Sequence, residues 1–84
     1  MGMKIELFYN PGCPVCPHAK KVVKKVLKKY PQIEYEEINS FEHQDRVITL
    51  GLQTVPAIVI DGTLWQTGIP NKNALRKEIE RNIS

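Results

Sequence analysis

The sequence predicts an α/β fold, a mixed four-stranded sheet with flanking helices in the order β-α-β-α-β-β-α, with residues 1–84 as a single domain. Three observations carry the prediction. Apolar residues recur at helical spacing after the cysteines and again at the C-terminus, with a capped helical stretch between. Short alternating or wholly apolar runs lie between those stretches, bounded by Pro, Gly, Asn and Asp. Asp61-Gly62 is a two-residue hairpin signal, so the last two strands run antiparallel, whereas the first β-α-β is long enough for a right-handed crossover between parallel strands.

"KIELFY", residues 4–9, reads as the first strand, and "NPG" as the turn that leads into the cysteines. The first helix is expected to begin near Pro14 and to end at Tyr30, because Pro31 cannot continue it. Its buried face is Ala19, Val22, Val23, Val26, Leu27 and Tyr30. "IEYEEI", residues 33–38, alternates apolar and acidic residues, as a strand with one face in water does. Ser40 is placed to cap a second helix, "FEHQDRVITL", which Gly51 can end in the left-handed conformation. "AIVI" is a short buried strand and "TLWQT" its returning partner, with Trp65 packing on the core or the sheet face. Asn71 can cap a final helix in which Leu75, Ile79 and Ile83 recur every fourth residue.

Composition narrows the function classes. A chain that is 42% hydrophobic and 25% charged, without an apolar run near membrane-spanning length, is expected to be soluble, with no membrane partner. Residues 1–9 lack the apolar stretch of a secretory signal, so the expected compartment is the cytoplasm. The net charge of +3 would suit an acidic partner or a nucleic acid. Six lysines, at 20, 21, 24, 25, 28 and 29, lie on the solvent face of the first helix, and no aromatic alternates with them to stack on bases. The run therefore reads as a solvated face, with Lys28 and Lys29 in the last turn favouring the negative end of the helix dipole, and no nucleic-acid partner is expected.

The chemistry is concentrated in "PGCPVCPH", residues 11–18. Cys13 and Cys16 can be a redox couple, half of a metal site, or inert core thiols. Pro14 and Pro17 are tolerated in a first helical turn, which places Cys13 at the helix N-terminus, where unpaired N–H groups and the dipole stabilise a thiolate. Cys16, three residues on, shares its face. That is a nucleophile beside a resolving thiol. Zinc would need further ligands; His18 and His43 supply two on paper, but His43 belongs to a separate helix and no second C-x-x-C exists, so no metal is expected. His18 can tune the sulfurs or be an ordinary surface histidine, Tyr9 can line the groove or cap the core, and Gly68 can admit a substrate backbone or serve the turn before Ile69-Pro70.

"LFYNPGCPVCPHAKKVV" resembles the active-site strand, loop and helix of the thioredoxin and glutaredoxin superfamily, and "TVPAIVIDG" resembles the stretch that carries its cis-proline. The matching order of elements covers nearly the whole chain, and its short length is similar to the small glutaredoxin-like thioredoxins of archaea and some bacteria. The resemblance implies a thioredoxin-like fold and a dithiol–disulfide oxidoreductase that reduces protein disulfides through a mixed disulfide. It implies Cys13 and Cys16 as the catalytic pair and Thr54, Val55 and a cis Pro56 as the substrate platform; Pro14, Tyr9, His18 and Gly68 are supporting candidates read from their own positions. No cofactor is expected beyond the cysteine pair; the implied partners are protein disulfides and a reductase, and the protein is expected to act as a monomer. The departures are local. Gly12 stands where thioredoxins have tryptophan, Leu7 where they have a buried aspartate, and "TGIPNKN" lacks the Gly-Gly and Asp with which glutaredoxins hold glutathione, which leaves glutathione open as a partner. A glutathione-dependent glutaredoxin and a thiol-based metal-binding or interaction module are the alternatives.

Overall fold

The computed structural model describes residues 2–83. Its elements are β1 (Lys4–Tyr9), α1 (Cys16–Leu27), β2 (Glu34–Asn39), a 3₁₀ turn (Ser40–Glu42), α2 (Gln44–Leu50), β3 (Ala57–Ile60), β4 (Thr63–Thr67) and α3 (Lys72–Ile83). The four strands form one sheet in the order β2-β1-β3-β4. β1 pairs in parallel with β2 and antiparallel with β3, and β3 turns back antiparallel into β4, as the loop lengths require. The expected order of elements and the mixed sheet are both present.

The period of two along β1 builds two cores. Ile5 and Leu7, with Ile58 and Ile60 of β3, face α1 and α3, where Ala19, Val23, Leu75 and Ile79 are buried against them. Phe8, with Ala57 and Val59, faces the other way and packs with Ile38 and with Val47 and Leu50 of α2. Both faces of β3 are covered, which is why "AIVI" is wholly apolar. Burying Leu75 or Ile79 completely is worth about 1.5–3 kcal/mol each.

Several boundaries depart from the sequence expectation. α1 ends at Leu27, because Lys29 and Tyr30 donate to Val26 and Leu27, three residues back, so the last turn tightens before Pro31 is reached. Lys28 and Lys29 thus lie beyond the helix, and the cations of its last turn are Lys24 and Lys25. β2 starts one residue late; Ile33 is buried but spends its N–H on Tyr30, and pairing begins when the N–H of Glu34 donates to Met3. The second helix is broken. Asn39, not Ser40, supplies its first cap, accepting from the N–H of Phe41 at 2.9 Å, and His43 (φ −136°) interrupts the ladder before α2. Gly51, at φ +71°, ends α2 as expected, with the N–H of Leu52 returning to Val47. Asp61 and Gly62 both take positive φ, as the hairpin turn demands. Asn71 caps α3 through the N–H groups of Asn73 and Ala74, but Ile83 is 44% exposed. Each four-residue step rotates about 40° around a helix, so the third member of the series leaves the face that Leu75 holds.

One polar pair is built into the second core. Glu6, 5% exposed between Phe8 and Lys4 on β1, receives two hydrogen bonds from the Arg46 guanidinium on α2. That bidentate bond, opposed by burial and aided by the charges of Arg46 and Lys4, holds the Glu6 carboxyl below its ordinary value of 4.5. A depressed carboxyl stabilises the fold above the unfolded pKa and loses that contribution as pH falls through the folded one. Glu6→Gln should therefore cost about 1–3 kcal/mol at pH 7, because Arg46 would keep its charge without its carboxylate. Urea unfolding checks this: the gap between wild type and variant should narrow as pH is lowered towards 2, and a gap independent of pH would assign the loss to packing.

Candidate active site

The two sulfurs sit where β1 hands over to α1. The turn Asn10–Cys13 is closed by the N–H of Cys13, which donates to the carbonyl of Asn10 at 3.2 Å. Because that turn is still running at Cys13, α1 begins at Cys16 and not near Pro14; Val15 occupies the N-cap, Pro14 lies exposed ahead of it, and Pro17 takes the second helical position. Cys13 and Cys16 are joined as a disulfide with their Cα atoms 5.4 Å apart. Cys13 is half-buried, whereas Cys16 is 2% exposed. The N–H of Cys16 points at Cys13 Sγ, 3.1 Å away, and the first turn of α1 contains no acidic residue. An N–H and a helix N-terminus aimed at one sulfur favour negative charge there.

The loop before β3 completes the floor. Val55-Pro56 is cis, as the resemblance implied, and Pro56 is buried. The carbonyl of Val55 lies 3.9 Å from Cys13 Sγ. The carbonyl of Pro56 accepts from the N–H of Gly68 at 2.8 Å, and Gly68 holds φ +83°, so this glycine locks the turn after β4 against the proline. Thr54 is exposed and Val55 half-buried, and with Asn10 and Leu52 they border a cavity of about 180 Å³ that neither cysteine lines. Cys13, Cys16, Thr54, Val55, Pro56 and Gly68 are therefore brought to one end of the sheet.

The remaining candidates divide. Tyr9 is half-buried against the first core, and the ammonium of Lys20 lies 3.5 Å over its ring. His18 is exposed and lines a groove between α1 and α3 with Lys21 and Lys72. Leu7, at the position of the family's aspartate, is fully buried and apolar. Lys20, one helical turn beyond Cys16, pairs with Glu37 of β2 at 3.8 Å. Glu37 also pairs with Lys24 and accepts from the Tyr35 hydroxyl, and burial together with that bond raises the Tyr35 pKa. Lys20 could be read from its spacing to Cys16; Glu37 is set beside it only by the parallel pairing of β1 with β2. Among the described residues no three of His, Cys, Asp and Glu gather as a metal site, so His18 and His43 do not join the cysteines.

A half-exposed sulfur under a helix N-terminus, disulfide-linked to a buried one beside a cis-proline loop, defines a dithiol–disulfide oxidoreductase. The thioredoxin domain family model matches residues 3–80, and the chain belongs to that family. It is 42% identical to a thioredoxin of Methanocaldococcus jannaschii over 82 residues, which span 96% of each chain. A probable thioredoxin of Methanothermobacter marburgensis is 37% identical over 84 residues, 99% of each. The solved structure of reduced desulfothioredoxin from Desulfovibrio vulgaris Hildenborough superposes with a TM-score of 0.81 at 26% identity, covering 99% of this chain and 83% of that one. These relatives carry thioredoxin names, and with them the glutaredoxin alternative recedes.

The geometry predicts unequal thiols. After reduction, Cys13 in a Cys16→Ser chain should react with iodoacetamide at pH 7 at least about tenfold faster than Cys16 in a Cys13→Ser chain, since exposure and thiolate character both favour Cys13. Equal rates, measured by mass spectrometry, would overturn this ordering.

Proposed function

We propose that the reduced protein donates electrons to disulfides of other proteins, with Cys13 as the attacking thiolate and Cys16 as the resolving thiol. The observation that carries this reading is the N–H of Cys16 directed at the more accessible Cys13 sulfur, with Cys16 itself buried. Cys13 attacks the substrate disulfide and expels one substrate thiolate, forming a mixed disulfide. Cys16 then loses its proton and attacks Cys13 Sγ, releasing the second thiolate and leaving the Cys13–Cys16 bond. Its burial keeps it away from the substrate until the mixed disulfide has formed.

Thr54, Val55 and Pro56 present backbone beside Cys13, and the Val55 carbonyl at 3.9 Å from its sulfur marks where an extended substrate strand would run. Pro14 and Gly68 shape this end, Tyr9 supports it from below, and His18 stands at its margin. The chain works in this reading as one domain and as a monomer in the cytoplasm, without a cofactor beyond its own cysteines. A separate reductase restores the dithiol.

Insulin reduction driven by dithiothreitol tests the roles. Cys13→Ser should fall to the uncatalysed rate, whereas Cys16→Ser should accumulate mixed disulfides with substrate, visible on non-reducing gels. Full activity in Cys13→Ser would exclude it as the nucleophile. Equilibration of the cysteine pair in glutathione buffers should give one two-electron transition, and a persistent glutathione adduct on Cys13 would move the electron supply from a reductase to glutathione.

A further inference from the structure

The lysine doublets of α1 are split between two neighbours. Lys20 and Lys24 face Glu37 on β2, at 3.8 and 3.4 Å. Their sequence partners, Lys21 and Lys25, face α3 instead. There Lys25 and Lys72 together line two adjoining clefts of about 250 and 140 Å³. Lys21 and His18 border the first cleft, Lys29 and Arg76 the second, and Val22 and Val26 give each an apolar wall. The ion pairs of the described residues engage Lys4, Lys20, Lys24, Arg46 and Arg81, but none of these five groove cations. Arg76 bonds to the neutral Asn73, and the nearby Glu80 is bonded by Tyr30. Lys25 lies close enough to Lys72 for contact between the two like-charged side chains to hold the Lys72 ammonium below the usual lysine range.

Like charges gathered in a concave site disfavour the empty groove and favour an anionic occupant. Its near end is His18, in the first turn of α1, so an occupant reaches the helix end that carries Cys16. Lysines four apart on a helix are spaced by about 6 Å, while alternate residues of an extended chain are spaced by about 6.6 Å, so acidic side chains at every second position match the ladder. Their methylenes suit the valine walls. Without an aromatic residue in its lining, the groove offers no stacking platform for bases.

We propose that the α1–α3 groove docks an extended acidic segment of the protein partner whose disulfide reacts at Cys13, an assignment that rests on the oxidoreductase reading above. The segment's charges meet Lys21, Lys25, Lys72 and Arg76 and hold the partner sulfur over the active-site end.

Two peptides test it, each with one cysteine blocked as a mixed disulfide with thionitrobenzoate, followed by alternating Ser-Glu or Ser-Gln. When the reduced protein's Cys13 attacks the peptide sulfur, thionitrobenzoate leaves and is read by absorbance; Cys16 then displaces the peptide thiolate, so two electrons pass from the protein to the blocked disulfide. At low ionic strength the Glu peptide should react roughly tenfold faster than the Gln peptide, and 0.5 M salt should erase the difference. The double variant Lys25→Gln, Lys72→Gln should also erase it, leaving the Gln peptide's rate unchanged. Equal rates in the wild type, or an advantage that survives the double variant, would overturn the proposal. A cysteine-free Glu peptide followed by amide NMR separates the two readings. Shifts along Lys21, Lys25 and Lys72 in a protein that speeds thionitrobenzoate release from neither blocked peptide would keep the groove and overturn the redox reading, whereas release without such shifts would overturn the groove. An oligothymidylate that shifts the same amides at lower concentration than the peptide would overturn the acidic-segment assignment in favour of a nucleic acid.

Discussion

Strand β1 is paired along both edges and covered on both faces, and the redox end inherits its position from that. Ile5 and Leu7 are buried against α1 and α3, while Phe8 is buried towards α2. The strand cannot slip by one residue without turning every one of those side chains to the wrong core. Its last residue, Tyr9, is therefore fixed, and so is the short turn that carries Cys13 to the start of α1. β3 is fixed in the same way by its antiparallel register with β1, which sets Ala57 opposite Phe8 and brings Pro56 to the same end of the sheet. The sulfurs and the proline loop approach each other from distant parts of the chain because one strand holds both.

Charge is handled differently on the two sides of this sheet. Beneath α2, Glu6 and Arg46 form a closed pair, with the guanidinium also lying over the Phe8 ring, so a buried acid is matched in charge and shape. On the α1 side the acid partner is Glu37, shared between Lys20 and Lys24 and the Tyr35 hydroxyl. Near Cys16 this pairing sets a lysine and a carboxylate at the sheet's rim, with an apolar Leu7 below. Lys20, the lysine of this pair, stands one helical turn beyond Cys16 along α1.

Much of this was legible in the chain. Cys13 and Cys16, the Asp61-Gly62 turn, Gly51 and Asn71 are local signals whose physics operates within a few residues: the cysteines are joined, the turn residues take positive φ, Gly51 ends α2 and Asn71 caps α3. The misplaced boundaries are also local but competitive. Asn39 and Ser40 are both good caps, and only the end of pairing in β2 decides that Asn39 takes the role. Pro14 and Pro17 both suit a first turn, and the Asn10–Cys13 hydrogen bond decides for Pro17. What could not be read was nonlocal: Glu6 and Arg46 lie 40 residues apart in sequence, and Glu37 reaches Lys20 only through the pairing of β1 with β2.

β2 is an outer strand of the sheet, and its far edge offers free backbone groups to any other extended chain. Glu34 and Glu36 are exposed along it, and Lys4 satisfies Glu36 from the neighbouring strand. A second copy adding its own β2 antiparallel to this edge would bring acid against acid, an arrangement that destabilises cross-strand pairing. The alternation that gives the strand one wet face thus also disfavours pairing of this edge with the same edge of another copy.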